Sequence, residues 1–394
     1  MSDPHLAYRH FCQSRTEVGQ LRQLHTVQPL AHGRILRHGV ELVNFSANNY
    51  AGLADHPLLK QRAMAWTEKW GTGAQASRLV CGDLEPFERI EARLVAGKGS
   101  EAALVLNAGY QTNSSLIPAL LDKKVLGAEP LVFSDRLNHA SMHHGMQSAG
   151  VKQIRYRHGD LDHLESLLKK NAEHKGPRFI LSETVFSMDG DRIDVGKLVA
   201  LKHRYGAFLY LDEAHATGVL GPDGFGLSAA YPGEVDLVMG TFSKALGGFG
   251  AYVTCRRELR DYLVNRVSGF IYSTALPPAV LGAMDAALEL LPQMESVRQR
   301  VLSGAEQVRA AFHQAGLDTG NSSTPIIPVI VGDERKTLAL SERLRQAGML
   351  GIAIRPPTVP EGTSRLRLSL SAAHTDADWQ QLAQLVPACL QDMD

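Results

Sequence analysis

From Asn44 onward the chain repeats one order: a turn, a helical stretch, then a short apolar run. The strand-like runs are Ala103–Asn107, Leu131–Ser134, Gln153–Tyr156, Phe179–Ser182, Phe208–Asp212, Val235–Met239 and Ala251–Thr254. Helical patterning covers Pro57–Trp70, Leu84–Val95, Leu161–Asn171 and Val195–Tyr205. Strands that alternate with helices predict an α/β fold, a mostly parallel sheet covered on both faces.

The flanks read differently. The first forty residues predict a polar helix over about Pro4–Gln23 and a hairpin-like piece over Gly33–Val43, with Arg37-His38-Gly39 as its turn. This arm is too thin in apolar residues to fold alone. After Pro277-Pro278, helical stretches at Leu281–Leu291 and Val297–Ala315 lead to a second set. It comprises strand Ile326–Val331, helix Lys336–Ala347, strands Ile352–Arg355 and Arg365–Leu370, and helix Asp376–Leu390. The expected division is an arm over 1–43, a large domain over 44–290 and a small α+β domain over 291–394.

Composition excludes little and adds no exotic partner. At 394 residues, 44% hydrophobic and 21% charged, the chain is ordinary globular material for one large and one smaller domain. Lys+Arg and Asp+Glu are both 41, so net charge gives no case for nucleic acid or a membrane surface as partner. The arginines of Arg298–Arg309 and Arg335–Arg345 alternate with acids and read as solvated helix faces. Cys12, Cys81, Cys255 and Cys389 are scattered, with no metal-ligand spacing, which predicts a reducing compartment and no bound metal. A polar Met1–Arg15 and the lack of any long apolar run predict a cytoplasmic protein with no cleaved signal or membrane span.

Chemistry is signalled by the run Val238-Met239-Gly240-Thr241-Phe242-Ser243-Lys244-Ala245-Leu246-Gly247-Gly248-Phe249-Gly250, where one lysine follows an apolar strand. A buried ε-amine must be neutralised, paired or consumed in a covalent bond. Pyridoxal phosphate (PLP) consumes a lysine as a Schiff base, and its phosphate needs hydroxyls and backbone N–H groups. Thr241 and Ser243 offer hydroxyls, while Gly247, Gly248 and Gly250 would let backbone approach the cofactor or a neighbouring subunit. Taken alone, the run is more often a solvated lysine in a glycine-rich turn. Upstream, Ala207–His215 reads as a buried strand ending in Asp212, with His215 three residues on. A protonated pyridine nitrogen needs a carboxylate beneath it, and Asp212 and Lys244 both fall at carboxyl ends of strands.

Further motifs stand in order: N-A-G-Y (Asn107–Tyr110), D-R-L-N-H-A-S (Asp135–Ser141), E-T-V-F-S-M-D-G-D (Glu183–Asp191), L-D-E-A-H-A-T-G (Leu211–Gly218) and T-F-S-K-A-L-G-G (Thr241–Gly248). Together they resemble the α-oxoamine synthases, PLP-dependent enzymes of the fold-type-I aminotransferase architecture. The likeness runs from Asn44 to His374. It implies a mostly parallel seven-stranded sheet domain with a small C-terminal α+β domain, acting on small-molecule substrates.

The resemblance also implies roles. Lys244 holds the cofactor and takes the substrate's Cα proton, and Asp212 keeps the ring nitrogen protonated. His139 stacks on the ring, and His215 reaches its phenolic oxygen. Gly109 and Tyr110, with Thr241 and Ser243, take the phosphate; Glu183 and Ser187 contact the cofactor and substrate edge. Thr274 of the Ser273-Thr274 pair reaches the phosphate in the partner subunit, which implies a homodimer with shared active sites. Asn48 lies near the substrate carboxylate and Arg355 grips it, while Arg22 faces the acyl thioester and Thr358 the acyl chain. Singly, each has an ordinary structural reading as a cap, turn or packed polar residue.

The segment Ile354–Arg367 resembles the biotin-pathway branch, which condenses L-alanine with a pimeloyl thioester, on CoA or acyl-carrier protein, with loss of CO2. Sister branches that use glycine or serine, and fold-type-I aminotransferases, remain alternatives. Gly71-Thr72-Gly73-Ala74-Gln75-Ala76 matches G-x-G-x-x-A formally, yet it follows a helix where a dinucleotide fingerprint follows a strand.

Overall fold

The computed structural model describes residues 3–17 and 20–393. Its strands, in chain order, begin with β1 (Val27–Pro29), β2 (Arg34–Arg37), β3 (Val40–Asn44), β4 (Ala102–Leu106), β5 (Leu131–Asp135), β6 (Gln153–Tyr156) and β7 (Arg178–Glu183). They continue with β8 (Ala207–Asp212), β9 (Leu237–Thr241), β10 (Ala251–Cys255), β11 (Ile326–Gly332), β12 (Met349–Leu350), β13 (Ile352–Ile354) and β14 (Ser364–Ser369).

The central sheet has seven strands in the order β4-β10-β9-β8-β7-β5-β6. Each apolar run read from the sequence between 103 and 254 is one of them. The pairs β9-β8, β8-β7, β7-β5 and β5-β6 are parallel, whereas β10 runs antiparallel to both neighbours. The short connection from Thr241 to Ala251 is the reason: a tight return can only make an antiparallel pair, since a parallel one needs a longer crossover. Along β4, Ala103 and Val105 enter one apolar cluster while Leu104 and Leu106 enter another, so both faces are covered as the alternation required.

The N-terminal helix is Pro4–Glu17, shorter than the expected Pro4–Gln23. Residues 18 and 19 of that stretch lie outside the described residues, and 20–26 carry no helix. The β2-β3 hairpin turns at His38 and Gly39, with φ of 52° and 77°, the double left-handed turn that matches strand twist. Its second strand then pairs in parallel with β12, which ties this hairpin to the C-terminal part of the chain. There, β11-β14-β13 form a three-stranded sheet, packed through Phe312, Leu366, Leu368, Trp379 and Leu382. Among the described residues, no helix is long and apolar enough to cross a membrane.

Candidate active site

Carboxyl ends of the parallel strands meet along one edge of the central sheet, where open α/β sheets place their ligands. Glu183 at the end of β7 is in register with Asp212 at the end of β8, which in turn pairs with Met239 of β9. Lys244 follows β9 on a loop whose side chains Phe242, Ala245 and Leu246 are fully buried. Burial of such residues contributes on the order of 1.5–3 kcal/mol for each large side chain, so the loop is held as firmly as the strand. Its backbone closes through Phe242 N–H to Gly250 O at 2.9 Å and Gly248 N–H to Phe242 O at 2.8 Å.

Gly247 was expected to give room to a cofactor or second subunit, but its close neighbour is the chain itself. Its φ is +67°, and an added Cβ would lie 2.4 Å from the backbone of Leu53 and Ala54. Glycine is demanded there by intrachain packing.

Among the described residues, none makes a hydrogen bond or ion pair with Lys244 Nζ. Burial pulls its pKa below the usual lysine range, Asp212 and Glu183 oppose that from longer range, and Arg367 adds to it. The amine is therefore easier to deprotonate than a surface lysine.

Asp212 is buried, and each carboxylate oxygen has a donor: Ala214 N–H to Oδ1 at 2.9 Å and Asn113 Nδ2 to Oδ2 at 2.8 Å. Asn113 Oδ1 accepts from the Tyr210 hydroxyl, and Asn113 Nδ2 also donates to Ser141 Oγ at 2.9 Å. Ser141 Oγ meets His139 Nδ1 at 2.7 Å, and that nitrogen accepts the Ser141 N–H at 3.3 Å. His139 caps the helix Ala140–Ser148 in this way and is exposed. Desolvation lowers its pKa, Asp212 opposes the shift, and Lys244 and His143 reinforce it.

His215 is 6% exposed, and its Nδ1 lies 2.8 Å from the Tyr50 hydroxyl. Burial drives its pKa well down, helped by Lys244, Arg367 and His139, so the ring is neutral. Glu183 behaves oppositely: burial and Asp212 push its carboxyl well up, against the pull of Lys244. Its Oε1 is buried without a hydrogen-bond partner.

Arg367, unassigned in the sequence, is 7% exposed and lies inside this group. Its Nη2 donates to Asn48 Oδ1 at 3.1 Å and to the Tyr50 hydroxyl at 3.3 Å, and its Nε donates to Ser187 O at 2.7 Å. Arg355 lines a recess of about 630 Å³ with Arg22, Thr358, Phe11 and Arg15. Arg22 Nη2 donates to Thr358 Oγ1 at 3.4 Å, so two expected acyl-side residues do meet. The missed signal was in the R-L-R-L-S-L alternation: period two puts Arg365, Arg367 and Ser369 on one face of β14, and all are buried. Tyr50 and Asn113 carry no comparable sequence mark.

The remaining candidates gather at the same edge. Thr241 Oγ1 meets Ser243 Oγ at 2.7 Å and donates to Gly250 O at 2.8 Å. Gly109 opens the helix Gly109–Leu120, which no side chain caps. A Cβ at Gly109 would meet only Met239 Cε, at 3.6 Å, an ordinary contact, so the fold itself does not require glycine there. Tyr110 is exposed, hydrogen-bonded to His144 Nδ1 at 3.1 Å and edge-on to His139 at 6.3 Å between ring centroids. Thr274 is exposed, with its carbonyl accepting from Asn107 Nδ2 at 2.7 Å.

This donor set fits PLP on its own terms: an unpaired amine with a lowered pKa, an anchored carboxylate, a neutral imidazole, an orphaned Glu183 oxygen, and a helix start with room at Gly109.

Comparison with known proteins gives the same family. The profile of aminotransferase class I and II matches residues 40–386. A Magnetococcus marinus protein provisionally named 8-amino-7-oxononanoate synthase is 81% identical over 394 residues, covering 100% of both chains. The 8-amino-7-oxononanoate synthase of Gluconacetobacter diazotrophicus is 57% identical over 344 residues, covering 87% of this chain and 86% of that protein. Among solved structures, the serine palmitoyltransferase of Sphingomonas wittichii superposes with a TM-score of 0.90 at 26% identity, covering 99% of this chain and 97% of that one. The chain therefore belongs to the aminotransferase class I and II family and, within it, to the α-oxoamine synthases, PLP-dependent acyltransferases with 8-amino-7-oxononanoate synthases among its relatives.

Proposed function

We propose that this enzyme condenses L-alanine with a pimeloyl thioester, on CoA or acyl-carrier protein, to give 8-amino-7-oxononanoate, CO2 and free thiol in biotin biosynthesis. The observation that carries the condensation is the buried Lys244 amine, without a hydrogen-bond partner among the described residues and within the electrostatic reach of Asp212, Glu183 and Arg367. The choice of L-alanine and pimeloyl rests on the relatives at 81% and 57% identity.

PLP, when bound, supplies an aldehyde for amines and an electron sink for the Cα carbanion. Lys244 would anchor it and then, as a neutral amine, take the Cα proton. Asp212, with both oxygens engaged by fixed donors, would hold the pyridine nitrogen protonated. His139 would cover the ring face and His215 would present its Nε2 to the phenolic oxygen. The N–H groups at Gly109 and Tyr110, with the Thr241 and Ser243 hydroxyls, would hold the phosphate. Glu183 and Ser187 would border the ring and substrate. Asn48 and Arg367 would receive the amino-acid carboxylate, for which a guanidinium fork gives bidentate recognition. The recess of Arg22, Arg355 and Thr358 would take the acyl thioester.

Thr274 would complete the phosphate site of a second copy, making the functional unit a homodimer. Supporting this, Tyr272, two residues before Thr274, and Tyr110, edge-on to His139, are left 84% and 51% exposed. A solution mass equal to a single 42.9 kDa chain would remove the shared-site reading.

The serine palmitoyltransferase neighbours favour one alternative, serine with a long acyl thioester. Thiol release from pimeloyl, acetyl, succinyl and palmitoyl thioesters, each with alanine, glycine or serine, separates the readings. L-alanine with pimeloyl is expected to be fastest; turnover with glycine or serine and none with alanine overturns the proposal.

A further inference from the structure

Tyr50 joins Arg367, read above as the partner of the substrate carboxylate, to His215, read above as facing the cofactor's phenolic oxygen. Its side chain is 1% exposed, and its oxygen has three polar neighbours: His215 Nδ1 at 2.8 Å, Asn48 Oδ1 at 3.1 Å and Arg367 Nη2 at 3.3 Å. Burial raises the phenol's pKa against a lowering pull from Arg367, so the proton stays on.

Proton counting limits how these neighbours share that oxygen. A phenol has one proton to donate, a guanidinium only donates, and an amide oxygen only accepts. Arg367 therefore occupies a lone pair of the phenol. The phenol proton has two possible destinations, Asn48 Oδ1 or His215 Nδ1. Given to His215, it finds Nδ1 bare and leaves the ring's proton on Nε2. Given to Asn48, it requires Nδ1 to carry the proton and donate back to the phenol, which leaves Nε2 bare. Since His215 is neutral, these are two tautomers of one ring.

Arg367 sets the balance between them. Its Nη2 also donates to Asn48 Oδ1 at 3.1 Å, so that oxygen is already supplied, and the shorter contact of the phenol is to His215. An anion that draws Nη2 away leaves Asn48 Oδ1 and the phenol oxygen each short of one donor. Turning the phenol proton to Asn48 and moving the imidazole proton from Nε2 to Nδ1 supplies both, with no change in net charge.

We propose that Tyr50 is a positioning residue that relays carboxylate occupancy at Arg367 to the tautomer of His215, setting whether Nε2 donates or accepts. The relay rests on the reading of Arg367 as the partner of the amino-acid carboxylate. The charged or titratable groups acting on His215 besides Tyr50 are Lys244, Arg367 and His139.

Propionate tests it, because it carries a carboxylate and no amine. In the PLP-loaded protein, the pH midpoint of the cofactor's visible band is measured with and without propionate, and propionate binding is followed separately by calorimetry. Wild type is expected to shift its midpoint by about 0.5 pH unit or more, roughly threefold in the ionisation ratio. Tyr50→Phe should still bind propionate yet keep its midpoint, and Arg367→Lys should lose the response from the other end. A merely structural Tyr50 would change thermal stability and leave the propionate shift intact. A wild-type midpoint indifferent to propionate, or a Tyr50→Phe midpoint that moves as far as wild type, overturns the relay. Should Tyr50→Phe fail to fold, an Arg367→Lys protein that responds like wild type overturns it. The test uses only the carboxylate of propionate, which all candidate amino acids share, so failure of L-alanine as substrate sinks the functional reading without touching this result.

Discussion

Asn113 donates its Nδ2 to Asp212 Oδ2 at 2.8 Å across 99 residues of sequence, and the same amide nitrogen reaches Ser141, which holds His139. The carboxylate assigned to the ring nitrogen and the imidazole assigned to the ring face are thus positioned by one side chain. Asn113→Leu should therefore damage both at once. The expected result is a drop in kcat of about 10²-fold or more, with an altered circular dichroism of the bound cofactor. A loss in thermal stability alone, with normal turnover in the folded fraction, would count against the coupling.

Asp212→Asn tests the charge apart from the shape. Asp212 raises the pKa of Lys244, so removing its charge should lower that pKa further and move the amine's titration to more acidic pH. The titration of the cofactor band or the pH dependence of labelling at Lys244 reports the direction; a move to higher pH contradicts it.

Lys244→Ala should abolish borohydride-stable attachment of PLP and reduce turnover by about 10³-fold or more. Removing a buried amine that has no hydrogen-bond partner should leave the unfolding temperature of the cofactor-free protein level or higher. Mass spectrometry of the reduced protein, together with calorimetry, checks both parts.

His374, 2% exposed, whose pKa burial lowers to about 4, should contribute to acid sensitivity alongside His215. Its Nδ1 lies 3.2 Å from the Ser371 N–H and 3.4 Å from Trp379 Nε1, so Nε2 carries the proton shared with Asn44 O at 3.1 Å. A depressed folded-state pKa contributes stability that is present above the unfolded value near 6.5 and lost as pH falls toward 4. The loss should reach about 3 kcal/mol across that window. Urea unfolding at several pH values, compared with His374→Gln, measures it; an identical pH slope in the variant would dismiss His374 as a source.

Arg22→Ala should raise KM for the acyl thioester by roughly 3–10-fold and leave KM for the amino acid unchanged, because Arg22 lies in the recess with Thr358 and Arg355, whose lining includes neither Asn48 nor Arg367. Equal effects on both substrates would place the two sites together.

The seven strands of the central sheet, the helices Pro57–Trp70 and Val195–Tyr205, and the positions of Asp212 and Lys244 at or just past strand ends were legible in the chain, whereas β1 and β12 were not. Periodicity follows from local geometry, and a polar residue at the end of an apolar run needs no distant information to be noticed. The resemblance of ordered motifs added roles for His139, His215 and the phosphate-side residues.

Tertiary structure alone decided that Arg367 stands beside Asn48, that Gly247 is required by Leu53 and Ala54, and that Tyr50 bridges His215 to Arg367. Each depends on which segments meet after the sheet closes, with β14 and the 48–50 turn brought against the ends of β7 and β8. A hydrogen bond reaches about 3 Å, while its partners here lie up to some 320 residues apart, so no local pattern encodes it.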